Sequence, residues 1–183
     1  MTSAPPAARL LGSATGLSCR ECGTAYEIGP LYACGECFGP LEVAYDFPTI
    51  TRATIEAGPN NIWRYKDLLP VPAHVTETKS LDPGWTKLVR ADNLAAELGM
   101  RRLWVKDDSG NPTHSFKDRV VSLAATAARG LGYTAIACAS TGNLANSVAA
   151  HAARAGLPSV VFIPSDLEPG KVVQSAVYGQ TLV

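Results

Sequence analysis

The feature that most constrains the fold is a regular alternation of short apolar runs and longer helical patterns across residues 84–183. Apolar runs of strand length occur at residues 102–106, 134–139 and 159–163. Apolar positions recur at helical spacing in residues 115–131, 143–155 and 169–178. This alternation predicts βαβ units, and therefore an α/β fold in which helices flank a parallel sheet.

Residues 180–183 have the pattern of one more strand, and the chain reaches its last residue within it. A parallel sheet normally has both faces covered by helices and no long open edge. We therefore expect residues 84–183 to be an incomplete α/β domain.

Four of the five cysteines form two C-x-x-C pairs, Cys19 with Cys22 and Cys34 with Cys37. Two such turns can close the tetrahedral four-sulfur site that is typical of structural zinc. Because all four ligands are thiolates, no position is left for a catalytic water, and the metal is expected to stabilise the fold.

Two other functions use paired cysteines. A nucleic-acid-binding ribbon needs basic residues, but residues 17–46 contain only Arg20 against five acidic side chains. A redox site usually has a C-x-x-C pair that opens a helix, which two pairs on turns fit less well.

The charge balance favours a small molecule as the partner. Sixteen basic and sixteen acidic residues leave no net charge, so nothing attracts nucleic acid or an anionic membrane. The sequence has neither the pattern of a secretory signal nor an apolar run of about 18 residues. We expect a cytoplasmic protein with no membrane or nucleic-acid partner.

The first candidate site is the helix start S-F-K-D-R at residues 115–119, after a turn-rich loop at residues 107–114. Ser115 and Asp118 fit the capping-box pattern, which predicts Ser115 as the N-cap. Lys117 then lies in the first turn, where the helix dipole disfavours a cation, and a neutral amine is the form that attacks a carbonyl. An ordinary solvated lysine is the alternative.

The second candidate site is the loop S-T-G-N at residues 140–143, which opens the next predicted helix. The hydroxyls of Ser140 and Thr141, a close backbone approach at Gly142 and the Asn143 amide suit a carboxylate or phosphate. Plain helix capping is the alternative. Because both loops follow neighbouring predicted strands, at the edge where open α/β sheets bind ligands, we expect one shared site.

These motifs resemble those of the threonine synthase family, within the tryptophan synthase beta-like group of pyridoxal-phosphate enzymes. The resemblance rests on K-D-D-S-G-N-P-T-H-S-F-K-D-R at residues 106–119, A-S-T-G-N at residues 139–143, L-V-R-A at residues 88–91 and the four-cysteine ribbon. It covers about residue 17 to the end of the chain. His114 stands where the family often has glycine.

The resemblance implies a lyase of threonine biosynthesis that uses pyridoxal 5′-phosphate. In this reading Lys117 forms a Schiff base with the cofactor, and O-phospho-L-homoserine and water become L-threonine and phosphate. Asn143 binds the ring hydroxyl of the cofactor, and Ser140 and Thr141 bind the substrate carboxylate. Asp118 and Arg119 serve the helix start and its packing, and a homodimer is a candidate assembly.

Four segments follow: a disordered tail at residues 1–16, a zinc ribbon at 17–46, a connector at 47–83, and the truncated N-terminal part of the catalytic domain at 84–183. Two alternatives remain open. One is a related pyridoxal-phosphate enzyme of the threonine dehydratase or cysteate synthase type. The other is a truncated, non-catalytic interaction module that zinc stabilises.

Overall fold

A computed structural model describes residues 14–29, 31–47, 49–71 and 80–183. The described residues form two compact units. Apart from positions 30 and 48, the first unit comprises residues 14–59, 63–71 and 126–133, and the second comprises residues 60–62, 80–125 and 134–183.

The first unit contains a three-stranded antiparallel sheet built from β1 (Ala14–Cys19), β2 (Ala25–Tyr26) and β3 (Leu41–Tyr45). The strand order is β2-β1-β3. Helix α1 (Arg52–Glu56) follows, with Thr51 and Thr54 forming a reciprocal capping box at its start. A 3-10 helix then spans Ile62–Leu68.

The tail predicted at residues 1–16 is corrected at its last three positions. Residues 1–13 lie outside the described residues. From residue 14 the chain is strand, because Ala14 pairs with Tyr45 and Gly16 with Ala44. The partner strand lies far along the chain, so no local pattern at residues 14–16 signals the pairing.

From residue 102 onward, strands and helices alternate as the sequence predicts, and a strand and a helix at residues 87–97, which were not predicted, precede them. The elements are β4 (Lys87–Arg90), α2 (Asp92–Glu97), β5 (Trp104–Asp107), α3 (Lys117–Gly130), β6 (Ile136–Ala139), α4 (Asn143–Ala155), β7 (Ser159–Phe162), α5 (Pro169–Ala176) and β8 (Thr181–Leu182). Strands β6, β7 and β8 form a parallel sheet in that order, which confirms the predicted parallel sheet. Among the described helices, none is long and apolar enough to cross a membrane.

The position of β5 differs from the prediction. This strand pairs antiparallel with β4, from Lys87 opposite Asp107 to Arg90 opposite Trp104, in a separate two-stranded sheet. The predicted strand at residues 102–106 is therefore real, but it is not a neighbour of β6. An apolar run of strand length predicts a strand and does not specify its partner.

Helix α4 is packed against β6, β7 and α5 in the second unit. Its buried face consists largely of alanines, and Val161 of β7 is also fully buried. Alanine combines the highest helix propensity with a small side chain, so neighbouring backbones can approach closely. The helix ends at Gly156 in the left-handed conformation, φ 67°, directly after the helical pattern predicted at residues 143–155.

Candidate functional site

The loop before α3 is held by a buried amide. Asn111 Oδ1 accepts a hydrogen bond from the Gly84 N–H at 2.9 Å, and Asn111 Nδ2 donates to the Asp108 carbonyl at 3.0 Å. Asn111 is almost fully buried, so both bonds replace contacts with water. They connect the loop to the chain segment that precedes β4.

Lys117 is the first residue of α3, and Ser115 lies buried just before it. The Ser115 Oγ accepts a hydrogen bond from the Lys117 N–H at 3.2 Å, which gives Ser115 the capping role that the sequence predicts. The ε-amine of Lys117 lies 4.8 Å from the centre of the Phe116 ring. Within the described residues, no carboxylate forms an ion pair with this amine, which leaves it available for a carbonyl.

The capping box predicted for Ser115 and Asp118 is only half formed. Instead of returning to the Ser115 N–H, the Asp118 carboxylate accepts hydrogen bonds from Thr113 and Ser147. The Thr113 N–H donates to Oδ2, and the hydroxyls of Thr113 and Ser147 donate to Oδ1, each at 2.7 Å. Asp118 therefore does more than serve the start of its own helix.

Asp118 is fully buried, at 0% exposure, and His151 of α4 lies beside it at 1%. His151 Nε2 is 3.3 Å from Asp118 Oδ1. Burial acts to raise the pKa of Asp118, but the His151 ring and the hydrogen bonds from Thr113 and Ser147 outweigh it and lower the pKa to about 2. The carboxylate is thus held in its charged form.

Arg119, the next residue of α3, connects the helix to the β4–β5 sheet. Its Nη2 donates to Asp108 Oδ1 at 2.6 Å and to the Thr86 hydroxyl at 3.0 Å, and Thr86 also donates to Asp108. The Arg119 guanidinium, followed by the Thr86 hydroxyl, lowers the pKa of Asp108. Asp118 and Arg119 therefore face different neighbours.

His114, the residue that departs from the family pattern, has an unusual backbone conformation. Its backbone has a φ of 58°, the left-handed region that favours glycine. A hydrogen-bonding contact between His114 Nδ1 and the Ser109 carbonyl, at 2.8 Å, compensates part of that strain. The backbone here suits glycine, the residue that the resemblance implies at this position.

The second loop opens α4 with its backbone N–H groups uncapped by side chains. Gly142 is the residue before the helix, and Asn143 is its first residue and is exposed. The Ser140 Oγ accepts a weak hydrogen bond from the Gly142 N–H at 3.3 Å, while Thr141 is exposed. Neither Ser140 nor Asn143 caps α4, so the helix start offers N–H groups, hydroxyls and an amide to an anionic ligand.

The two loops do not follow neighbouring strands of one sheet, as was expected, because β5 and β6 lie in different sheets. They are connected instead through Asp118, which is adjacent to Lys117 and bonds Ser147, one helical turn after Asn143. Residues four apart on a helix share a face. No sequence pattern assigned Ser147 or His151 to the site, although their spacing from Asn143 places all three on one side of α4.

The four cysteines of the first unit converge as predicted. The Sγ atoms of Cys19, Cys22, Cys34 and Cys37 all lie within 4.8 Å of one another. Tetrahedral coordination at a Zn–S distance of about 2.3 Å requires sulfur atoms about 3.8 Å apart. The Sγ atoms of Cys19 and Cys37, and those of Cys22 and Cys34, are 3.5 Å apart, so the cluster can hold a metal ion.

Tyr26 of β2 supports one of these thiols. Its hydroxyl lies 3.0 Å from Cys34 Sγ and accepts a hydrogen bond from the Gly35 N–H at 3.0 Å. The Tyr26 hydroxyl is the largest influence that lowers the pKa of Cys34 to about 6. The thiolate, which is the form that binds metal, is thereby favoured.

The amino-acid sequence of this chain is similar to those of known proteins. Residues 79–183 match the family model described as pyridoxal-phosphate dependent enzyme. The chain is 38% identical over 167 residues to threonine synthase from Methanosarcina acetivorans, covering 89% of this chain and 40% of that protein. It is 37% identical over 170 residues to threonine synthase from Methanocaldococcus jannaschii, covering 90% of this chain and 42% of that protein.

The chain thus spans about two fifths of the length of these curated relatives. Among solved structures, it is similar to a pyridoxal 5′-phosphate-dependent aspartate racemase, with a TM-score of 0.50 and 24% identity over 54% of this chain and 31% of that chain. That likeness supports the α/β fold expected from the sequence. With the family model matching more than half of its residues, the chain belongs to the pyridoxal-phosphate dependent enzyme family.

Proposed function

We propose that this chain carries the N-terminal part of a cytoplasmic threonine synthase, which converts O-phospho-L-homoserine and water into L-threonine and phosphate. The observation that carries the proposal is the amine of Lys117 at the start of α3, which forms no ion pair within the described residues and lies inside the region that matches the family. The identity to two threonine synthases over about nine tenths of the chain supports this substrate over others.

The side chains present fit pyridoxal 5′-phosphate. A primary amine without an ion-pair partner among the described residues suits the cofactor aldehyde, and hydroxyls beside an uncapped helix start suit anionic groups. When bound, the cofactor withdraws electrons from the substrate carbons and makes their protons easier to remove.

Each residue then has a distinct task. Lys117 would hold the cofactor through its amine and would move protons at the substrate carbons. Asn143 donates a hydrogen bond to the ring hydroxyl of the cofactor. Ser140 and Thr141, with the N–H groups at the start of α4, bind the substrate carboxylate.

In the first unit, Cys19, Cys22, Cys34 and Cys37 bind one structural zinc ion. Four thiolates fill its coordination, so the ion stabilises the ribbon and takes no part in the reaction. The sulfur separations described above support this proposal.

Chemical trapping tests the role of Lys117. The purified 183-residue chain is incubated with pyridoxal phosphate and reduced with borohydride, and the adducts are mapped by peptide mass spectrometry. We expect a dominant adduct on Lys117 that disappears in Lys117→Ala and persists in Lys171→Ala, a matched change at an exposed lysine. Labelling spread over the exposed lysines, or unchanged by Lys117→Ala, would contradict the proposal.

Substrate choice is tested in a protein that has the full length of the relatives. We expect phosphate release from O-phosphohomoserine to exceed release from phosphoserine, with little ammonia release from threonine. Preference for phosphoserine would indicate a cysteate synthase type of enzyme, and ammonia from threonine would indicate a dehydratase.

A further inference from the structure

The Asp118 carboxylate has more partners than a helix start requires. It receives three hydrogen bonds of 2.7 Å from Thr113 and Ser147, and His151 lies 3.3 Å away. Thr113 belongs to the loop that leads to Lys117, whereas Ser147 and His151 belong to α4. One buried carboxylate therefore joins two chain segments that are about thirty residues apart.

The partners on α4 continue a line that begins in the second candidate loop. Asn143, Ser147 and His151 follow one another at intervals of four residues along one side of the helix. Asn143 is exposed at the helix start, and Ser147 and His151 are fully buried below it. Asp118 thus bonds α4 about 6 Å below Asn143, measured along the helix axis.

The environment makes this connection stiff. Ser147, Asp118 and His151 are each at most 1% exposed, so water cannot replace a lost partner. A buried carboxylate that loses one hydrogen bond is left with an uncompensated desolvation cost. Within the part of the chain that the structure describes, neither ring nitrogen of His151 forms a hydrogen bond of good geometry, and Asp118 Oδ1, 3.3 Å from Nε2, is the charged group beside this ring.

We propose that Asp118 is a positioning residue: through Ser147 and His151 it sets the position of Lys117 relative to Asn143. This inference rests on the proposed function, because Lys117 and Asn143 are the residues assigned there to the cofactor. Asp118 contacts neither cofactor nor substrate in this assignment. Asp118 affects the reaction indirectly, because it fixes the position of α3 relative to α4.

A matched pair of serine variants tests the inference. Ser147→Ala removes the hydroxyl that bonds Asp118, and Ser122→Ala removes an equally buried hydroxyl of α3 that bonds only the Arg119 carbonyl. Urea unfolding first defines conditions in which each variant is fully folded. The ratio of borohydride-trapped adduct on Lys117 to that on Lys171 is then measured, which a general loss of stability does not change.

We expect Ser147→Ala to lower this ratio about ten-fold, the equivalent of one hydrogen bond to a charged group, and Ser122→Ala to leave it within about two-fold. Asp118→Ala should lower it as well, and the double variant with Ser147→Ala should be no worse than Asp118→Ala alone, because Ser147 has then already lost its partner. Equal ratios in the two serine variants would overturn the inference and leave the proposed function intact.

Amide hydrogen exchange provides a readout that needs no cofactor. We expect Ser147→Ala to speed exchange both in residues 113–119 and in residues 143–147, and Ser122→Ala to leave residues 143–147 unchanged. If the unaltered chain forms no adduct on Lys117, the proposed function fails and this measurement alone decides. If Ser147→Ala speeds exchange only in α4 and not in residues 113–119, the inferred coupling between the two segments is wrong.

Discussion

Asp118 is a fully buried carboxylate, and its ionisation affects the stability of the folded chain. Its pKa of about 2 lies below the ordinary value of 3.8. A depressed pKa means that the folded state binds the charged form better than the unfolded state does. The resulting stabilisation is fully present above about pH 4 and is lost as the pH falls toward 2.

We compare how far the free energy of unfolding decreases when the pH falls from about 4 to about 2. We predict that this decrease is about 2 kcal/mol smaller in Asp118→Asn than in the unaltered chain. Urea titrations at several pH values in that window measure the difference. Asp166→Asn, which changes an exposed aspartate, is the control and should follow the unaltered chain. A pH dependence of Asp118→Asn identical to that of the control would show that Asp118 is not the titrating group.

Tyr26 allows a second prediction at the scale of single residues. Its hydroxyl contacts the Cys34 thiol, and partners of metal ligands typically affect metal affinity 10- to 100-fold. We expect Tyr26→Phe to weaken zinc binding about ten-fold, measured by competition with a chelator. Tyr32→Phe, at a tyrosine that is 89% exposed, should bind zinc as the unaltered chain does.

Helix α4 illustrates how a single glycine ends an element. Gly156 has a φ of 67°, where a β-carbon is strained even though no atom would lie within 4 Å of it. Gly170 of α5 has no left-handed backbone and is equally uncrowded. The two glycines therefore differ in backbone conformation and not in space.

We predict that Gly156→Ala destabilises the chain by about 1 kcal/mol, because the left-handed cap conformation is lost or strained. Gly170→Ala should be neutral or stabilising by up to about 1 kcal/mol, because alanine favours the helix. Urea unfolding compares the two. A loss of the same size in both variants would mean that the cap conformation is not the cause.

Strand β5 shows the limit of reading elements from local pattern. Its residues were predicted as a strand, and the structure confirms a strand at Trp104–Asp107. Its partner was predicted wrongly, because β4 pairs with it in an antiparallel ladder outside the parallel sheet. Strand partners depend on contacts between distant segments, which spacing within one segment does not encode.

At the scale of the whole molecule, the β4–β5 sheet exposes apolar side chains on both of its faces. Leu88, 61% exposed, and Trp104, 50% exposed, lie on one face of this sheet, and the paired Val89 and Val105 are exposed on the other face. A sheet of only two strands has open edges, and exposed apolar strands favour association. The homodimer expected from the family stays a prediction, and association through this surface is a separate one.

We predict that the 183-residue chain self-associates as its concentration rises, and that Leu88→Lys reduces this association because a charge on an open strand opposes edge pairing. Sedimentation velocity over a range of concentrations measures it. Tyr32→Lys, which changes one of the exposed aromatic side chains of the first unit, is the control. Association unchanged by Leu88→Lys would place the contact elsewhere.

The sequence by itself determined the features that depend on spacing over a few residues. The C-x-x-C pairs indicated the cysteine cluster, Ser115 was placed correctly as a cap for α3, and the predicted helix at residues 143–155 coincides with α4. Local hydrogen bonds and turn geometry account for these successes, because they involve residues close in the chain. The assignment of Lys117, Ser140, Thr141 and Asn143 to cofactor and substrate stays a prediction.

Only the tertiary structure decided how these parts are connected. Asp118 bonds Ser147, 29 residues away, and no pattern near either residue indicates the pair. The same holds for the burial of His151 against Asp118 and for the pairing of β5 with β4. A buried polar contact is chosen by the packing of whole elements, and that packing depends on every residue that the elements bury.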